Sequence, residues 1–183
     1  SFDKRRSAYF SKELITILRL IDKKKVKLEN LYGSWAGAHG NFQFMPSSIN
    51  NYAIDYDKDG QIDLVNSLED SFASAANYLK TIGWNEKISW GYRAISADKI
   101  DNSLVTIDAR KLKKTLSRND LINNKISIKN NKKAIGNFKL IRPDGKDGPI
   151  FLVTTNYEKL LNWNRSLRFA ITVGLFADLL KNA

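Results

Sequence analysis

Apolar positions first recur at helical spacing between Ser7 and Asp22, where Ala8, Phe10, Leu14, Ile17, Leu18 and Ile21 share a face and Lys23-Lys24-Lys25 closes the stretch. A second such face, made by Phe72, Ala75, Ala76 and Leu79, predicts a helix over Asp70–Ile82 that Gly83-Trp84 ends. Leu160, Leu161, Leu167, Ile171, Leu175 and Leu179 predict one or two further helices over Tyr157–Leu180. Between these parts the period shortens. Val105-Thr106-Ile107 and Ile126-Ser127-Ile128 alternate as short strands do. Phe138–Ile141 and Ile150–Val153 flank Pro143-Asp144-Gly145-Lys146-Asp147-Gly148, two strands joined by a glycine-rich turn. The pattern divides the chain into a helical part over 1–104, a β-rich part over 105–153, and C-terminal helices over 154–183 that return to the first part. The fold class is α+β, mainly helical, with a small basic antiparallel β subdomain.

Composition narrows the class. A chain of 183 residues, 43% hydrophobic and holding four tryptophans, can bury one core with a small appended subdomain and is not disordered. No apolar run approaches the roughly 20 residues that span a bilayer. The opening Ser1-Phe2-Asp3-Lys4-Arg5-Arg6 has neither an initiator Met nor a secretory signal, so the compartment is not written there. Absence of cysteine fits a cytosolic protein and a disulfide-free periplasmic one equally.

Charge adds a direction. Of a net charge of +11, a net of +10 sits between Arg110 and Arg142, where eleven Lys or Arg face one acid, Asp120. Such a block is either a solvated face or a surface for an anion. Nucleic acid and anionic cell-wall polymer both satisfy that electrostatics, but no nucleic-acid recognition motif accompanies it.

The most specific stretch is Gly33-Ser34-Trp35-Ala36-Gly37-Ala38-His39-Gly40-Asn41-Phe42-Gln43-Phe44-Met45-Pro46-Ser47-Ser48. It combines permissive glycines and small residues with aromatic rings, and adds the hydroxyl of Ser34 and the amide of Gln43. Rings that stack on sugar faces, beside groups that bond sugar hydroxyls and acetamides, would build one wall of a carbohydrate cleft. The plainer alternative is a glycine-rich turn packed between helices. A second motif, Asp55-Tyr56-Asp57-Lys58-Asp59-Gly60-Gln61, sets three alternate carboxylates, a turn glycine and the Gln61 carbonyl in the order of an EF-hand-like calcium loop. Asn66 stands where that loop's closing Glu would be, and an acidic solvent loop without metal is the alternative.

The glycine-aromatic string resembles the signature of the membrane-bound lytic transglycosylase B family. The likeness runs in order through Arg5-Arg6-Ser7-Ala8-Tyr9-Phe10, Tyr52-Ala53-Ile54-Asp55, Ala73–Leu79, Gly83-Trp84, Gly148–Val153 and Leu161-Asn162-Trp163-Asn164-Arg165-Ser166. It implies a lysozyme-like fold, a peptidoglycan glycan strand as partner, and cleavage of the MurNAc–GlcNAc bond with a 1,6-anhydroMurNAc end. Ser34, Gln43 and Tyr78 match the family's substrate contacts. Trp163, Asn164 and Phe169 match a C-terminal contact motif, with Trp163 and Phe169 in place of tyrosines, so two hydroxyls are missing. The resemblance takes the last ligand of a structural calcium from Asp70, with Glu69 its neighbouring alternative, and requires no cofactor for catalysis. It further implies a periplasmic monomer, outer-membrane associated when full length, with no nucleic-acid partner.

The family's single catalytic glutamate lies upstream of the matched Arg5-Arg6 helix. No catalytic acid is therefore assigned among residues 1–183, and the chain alone is expected to be inactive. Glu13 matches a helix-face residue and Glu29 matches nothing functional. His39, the one histidine, replaces a usually apolar residue and reads as packing or surface. The rival readings are a non-catalytic wall-binding protein and, more remotely, a basic nucleic-acid-binding protein.

Overall fold

The computed structural model describes residues 6–97, 99–129, 136–181 and 183. Arg5 of the matched helix, and Lys132 and Lys133 of the basic stretch, lie outside the described residues. The chain forms two compact units, Ser1–Ile82 and Gly83–Ala183.

The first unit is helical. Helix α1 spans Ser7–Asp22, a 3-10 turn covers Leu28–Asn30, and helices α2 and α3 span Pro46–Tyr52 and Leu68–Thr81. The inward stripe of α1 runs through buried Glu13 and Leu20 and half-buried Phe10 and Ile17, so Leu14 and Leu18 of the predicted face point outward and are more than half exposed. Glu13 takes a core position because α2 needs it there. Its carboxylate accepts the backbone N–H of Ser47 at 2.8 Å and the Ser47 hydroxyl at 2.7 Å, capping a helix that has no side-chain cap of its own.

Helix α3 also turns a different face inward than its apolar residues predict. Phe72 and Ala76 are exposed, while Asp70, Ser71 and Ser74 are buried beside Ala75. These polar side chains satisfy the irregular chain that precedes the helix. Ser71 donates to the Leu64 carbonyl at 3.0 Å, Ser74 accepts the Ile54 N–H at 2.9 Å, and Asp70 accepts two further backbone N–H groups. A long loop can pack against a helix only when its backbone groups find such partners.

The second unit holds a five-stranded sheet in the order β2-β4-β5-β1-β3, with β1 Gly91–Ser96, β2 Val105–Thr106, β3 Ile126–Ile128, β4 Lys139–Ile141 and β5 Ile150–Val153. Strands β4 and β5 form the expected antiparallel hairpin, pairing Leu140 with Leu152. The sheet is not wholly antiparallel, because β2 runs parallel to β4. The long connection between those two strands, which includes β3 and helix α4 (Arg118–Asn123), provides the crossover that a parallel pair requires. Strand β1 pairs with both β5 and β3 and lies ahead of residue 105, inside the stretch read as helical.

One side of the sheet buries Leu140 and Leu152 with Ala94, Val105, Leu116, Ile126 and Phe138. Phe151, by contrast, packs with Trp90, whose ring also neighbours Tyr157. Helix α5 spans Thr155–Trp163 and α6 spans Leu167–Lys181. The predicted apolar series on these helices is buried only through Ile171; Leu175 and Leu179 are exposed. The inward face of α6 is Leu167, Ala170, Ile171 and Gly174, and Gly174 lies against the Trp90 ring with no room for a Cβ. Among the described residues, no helix is long and apolar enough to cross a membrane.

Candidate functional site

In the first unit the Gly33–Met45 loop is held as a rigid platform between α1 and α2. His39 and Phe44 exchange backbone hydrogen bonds at 3.0 and 2.9 Å, and Ser34 donates its N–H to the Ala38 carbonyl at 2.7 Å. Gly40 is required at its position: its φ is +77°, and a Cβ there would lie 2.6 Å from both the carbonyl oxygen and the Cβ of Leu64. Gly33 likewise packs against the Ala38 carbonyl and His39 too closely for a side chain.

This platform presents the sequence-predicted polar groups. Ser34 is exposed and its hydroxyl accepts the Ala38 N–H at 3.2 Å. Gln43 is exposed in a left-handed conformation, φ +53°, and its amide donates to the Gly40 carbonyl at 3.0 Å, which fixes the side chain over the loop. Tyr78 is half-buried below them, with its ring 6.0 Å from Phe44 and 4.8 Å from Tyr52. Burial and then the Tyr52 phenol push the Tyr78 hydroxyl above its usual pKa, so it stays protonated as a donor.

Ser34 opens on a cavity of about 340 Å³ lined also by Phe10, Glu13, Trp35, His39 and Pro46. Trp35 is 91% exposed, an indole face offered to solvent beside the Ser34 hydroxyl. Gln43 and Tyr78 do not line this cavity. His39 is buried, and its desolvation outweighs the nearby Gly37 carbonyl to hold the imidazole below its ordinary pKa, hence neutral near pH 7. It is a packing residue. Glu13, whose structural role the sequence left unnamed, has both oxygens committed to Ser47; Glu29 is exposed on the 3-10 turn.

The second unit places Trp163, Asn164 and Phe169 at one corner, where α5 ends and α6 begins. Thr154 caps α5, and buried Asn156 accepts the Asn85 N–H at 2.9 Å while donating to the Asn85 and Ile88 carbonyls. The Tyr157 hydroxyl donates to the Leu167 carbonyl at 2.8 Å, tying the two helices together. Asn164 ends α5 in an extended conformation, Trp163 is half-buried and Phe169 is 37% exposed.

The acidic loop in the first unit brings Asp55, Asp57 and Asp59 together, with one oxygen from each lying within 4.8 Å of the others. Among the described residues Asp55 Oδ1 is buried without a hydrogen-bond partner, an acceptor that a cation would satisfy. The remaining acceptors shape the loop: Asp55 takes the Gly60 N–H at 3.0 Å and Asp59 takes that of Gln61 at 2.7 Å. Asp57 accepts the Asp59 N–H, which lowers its pKa, but desolvation and the charges of Asp70 and Asp59 prevail and raise it. Asp70 is not part of the convergent trio. Its two oxygens hold the N–H groups of Tyr56 at 2.7 Å and Asp63 at 2.9 Å, one at each end of the loop. Asp63, absent from the predicted ligand set, is occupied by Val65, Asn66 and Asn30.

Residues 1–178 match the transglycosylase SLT domain family. Over 80 residues the chain is 48% identical to the membrane-bound lytic murein transglycosylase B of Escherichia coli (strain K12), a match covering 44% of this chain and 22% of that protein. Among solved structures it is similar to SltB3 from Pseudomonas aeruginosa in complex with NAG-anhNAM-pentapeptide, with a TM-score of 0.84, 33% identity, and coverage of 98% of this chain and 48% of that one. It is also similar to the Escherichia coli lytic transglycosylase SLT35 in complex with calcium, with a TM-score of 0.78, 29% identity, and coverage of 99% and 57%. The chain thus spans about half the length of these solved relatives, and its 80-residue match covers less than a quarter of the curated one. The likeness makes the fold lysozyme-like.

Proposed function

Because the chain belongs to the transglycosylase SLT domain family, we propose that it is the glycan-binding part of a lytic transglycosylase that cleaves the MurNAc–GlcNAc bond of peptidoglycan. The observation that carries the reading is the Ser34 hydroxyl beside the open Trp35 ring, on a loop held by the His39–Phe44 bridge and by the Glu13-capped α2 helix. Such a ring stacks on a sugar face while the hydroxyl and the Gln43 amide oxygen bond polar substituents. Asn164, Trp163 and Phe169 offer the same mixture in the second unit.

In the reaction that the resemblance implies, a carboxylic acid protonates the glycosidic oxygen as the acetamido oxygen of MurNAc attacks the anomeric carbon. The resulting carboxylate then removes the C6 hydroxyl proton, and that oxygen displaces the acetamido group to close the 1,6-anhydro ring. Glu13 is not that acid, since both of its oxygens already accept from Ser47. We assign that acid to none of residues 1–183 and propose that this chain binds the wall without cutting it. The protein acts in the periplasm, where peptidoglycan is.

The Asp55 loop fits calcium by its oxygen-only donor set and by the buried, unpartnered Asp55 oxygen. Asp55, Asp57, Asp59 and the Gln61 carbonyl would hold the ion, with Asp70 behind them fixing the loop; the ion supplies charge neutralisation, not catalysis. The purified chain should sediment with insoluble peptidoglycan, and Ser34→Ala with Gln43→Ala should weaken that binding about tenfold. Binding no stronger than to cellulose overturns the reading.

A further inference from the structure

A cavity between the Ala109–Leu112 segment and helix α5 takes no part in the chemistry above. Its volume is about 390 Å³, and its polar lining is Arg110, Glu158, Lys159, Asn162 and Arg165. The single acid is already neutralised, since Glu158 pairs with Lys139 at 2.9 Å. Arg110 and Arg165 are exposed, and among the described residues neither they nor Lys159 has a carboxylate partner. Among the described residues the side-chain amide of Asn162 has no partner either. Two guanidinium groups, an ammonium and an amide around one concavity, with no acid left to balance them, make a receptor for a carboxylate.

We propose that this cavity binds a free carboxylate of the peptide stem that peptidoglycan carries, an assignment that rests on the lytic transglycosylase reading. Asn162 and Arg165 enclose Trp163 and Asn164 in sequence, the pair that the resemblance makes glycan contacts. A strand seated on that pair presents the peptide branches of its MurNAc units beside the cavity. The stems are anionic, so each branch offers the charge that the lining lacks. This gives part of the basic stretch a specific role, because Arg110 opens it. The cations are solvent-facing, so the contribution should fade with salt as the screening length falls to about 10 Å at 0.1 M.

The test measures binding of the purified chain to three forms of one glycan fragment: with its stem peptide, with the stem carboxylates amidated, and stripped of peptide. Wild type should prefer the free-carboxylate form over both others by about tenfold. The double variant Arg110→Gln/Arg165→Gln should lose that preference and retain affinity for stripped glycan. Lys111→Gln/Lys114→Gln, which removes equal charge outside the cavity, should keep the preference. Equal affinities in wild type overturn the proposal, as does a preference that survives the arginine variant or is lost equally in the lysine control. Failure of the underlying functional reading has a different signature, no binding to any of the three forms, and removes the proposal with it.

Discussion

The Glu13 carboxylate on α1 accepts both the backbone N–H and the hydroxyl of Ser47 on α2, at 2.8 and 2.7 Å, and is 96% buried while doing so. One residue thus joins the two helices that flank the Gly33–Met45 loop. Glu13→Gln keeps the size but offers a single acceptor oxygen, leaving one Ser47 donor facing an amide N–H₂. We expect a loss of about 1–3 kcal/mol in denaturant unfolding, with Ser47→Ala costing less because only the hydroxyl contact goes. Unchanged stability in Glu13→Gln would show that the cap is dispensable.

The same geometry predicts that the 183-residue chain releases no anhydro-muropeptides from purified peptidoglycan. General acid–base catalysis contributes about 10²–10⁴-fold, and among the described residues the Ser34 cavity holds no acid but Glu13, which is committed to Ser47. Turnover that Glu13→Gln abolishes would make Glu13 the acid after all.

Gly174 faces the Trp90 ring so closely that a methyl group overlaps it, while the Trp90 indole N–H donates to Asp178 at 3.1 Å. Trp90 therefore cannot swing away without losing that bond. Gly174→Ala should destabilise the protein by roughly 1–3 kcal/mol, the range for overpacking. Asp178→Ala, which removes the acceptor, should relieve part of the penalty in the double variant if ring movement is the escape; strict additivity would argue that the backbone of α6 shifts instead.

Legibility of the fold followed the strength of the local pattern. Helix α1 and strands β3 and β5 have the predicted bounds because apolar spacing and flanking turns agree there. Strand β1 was hidden: Gly91 and Ala94 are its buried positions while Ile95 faces solvent, so the apolar residues do not alternate with burial. Helix α4 carried a readable signal, the reciprocal Ser117–Asp120 capping box, that its basic surroundings masked. The inward face of α3 could not be read from hydrophobicity, since Asp70, Ser71 and Ser74 are buried to satisfy another segment's backbone. Burial driven by hydrogen bonding leaves no apolar period.

His39 sets a pH dependence. Burial lowers its pKa below the ordinary 6.5, so as pH falls the unfolded chain takes up that proton before the folded one does. Stability should therefore decline as pH drops through about 6.5 and be flat above it, as far as this group contributes. His39→Met, which fills the site without a titrating ring, should remove that slope. Parallel stability–pH curves for the two proteins between about pH 5.5 and 8 would refute the assignment.

The Asp55–Asp70 loop should make stability respond to calcium. Asp55, Asp57 and Asp59 hold their oxygens within 4.8 Å of one another, and mutual repulsion at that distance costs energy unless a cation is present. One Asp55 oxygen is buried with no donor, while Asp70 anchors the loop from behind through two backbone N–H groups. Binding to the folded state alone stabilises by about 2.7 kcal/mol at a hundredfold excess over Kd. Calcium should raise Tm and chelator lower it, and magnesium should substitute poorly because it favours rigid octahedral coordination. Asp57→Ala should abolish the calcium response yet raise Tm slightly in chelator, since it removes a charge from the cluster. Asp70→Ala should lower Tm with and without calcium, because it releases the two N–H groups that shape the loop. If Asp57→Ala leaves the calcium dependence intact, the trio is an acidic turn and the ion binds elsewhere.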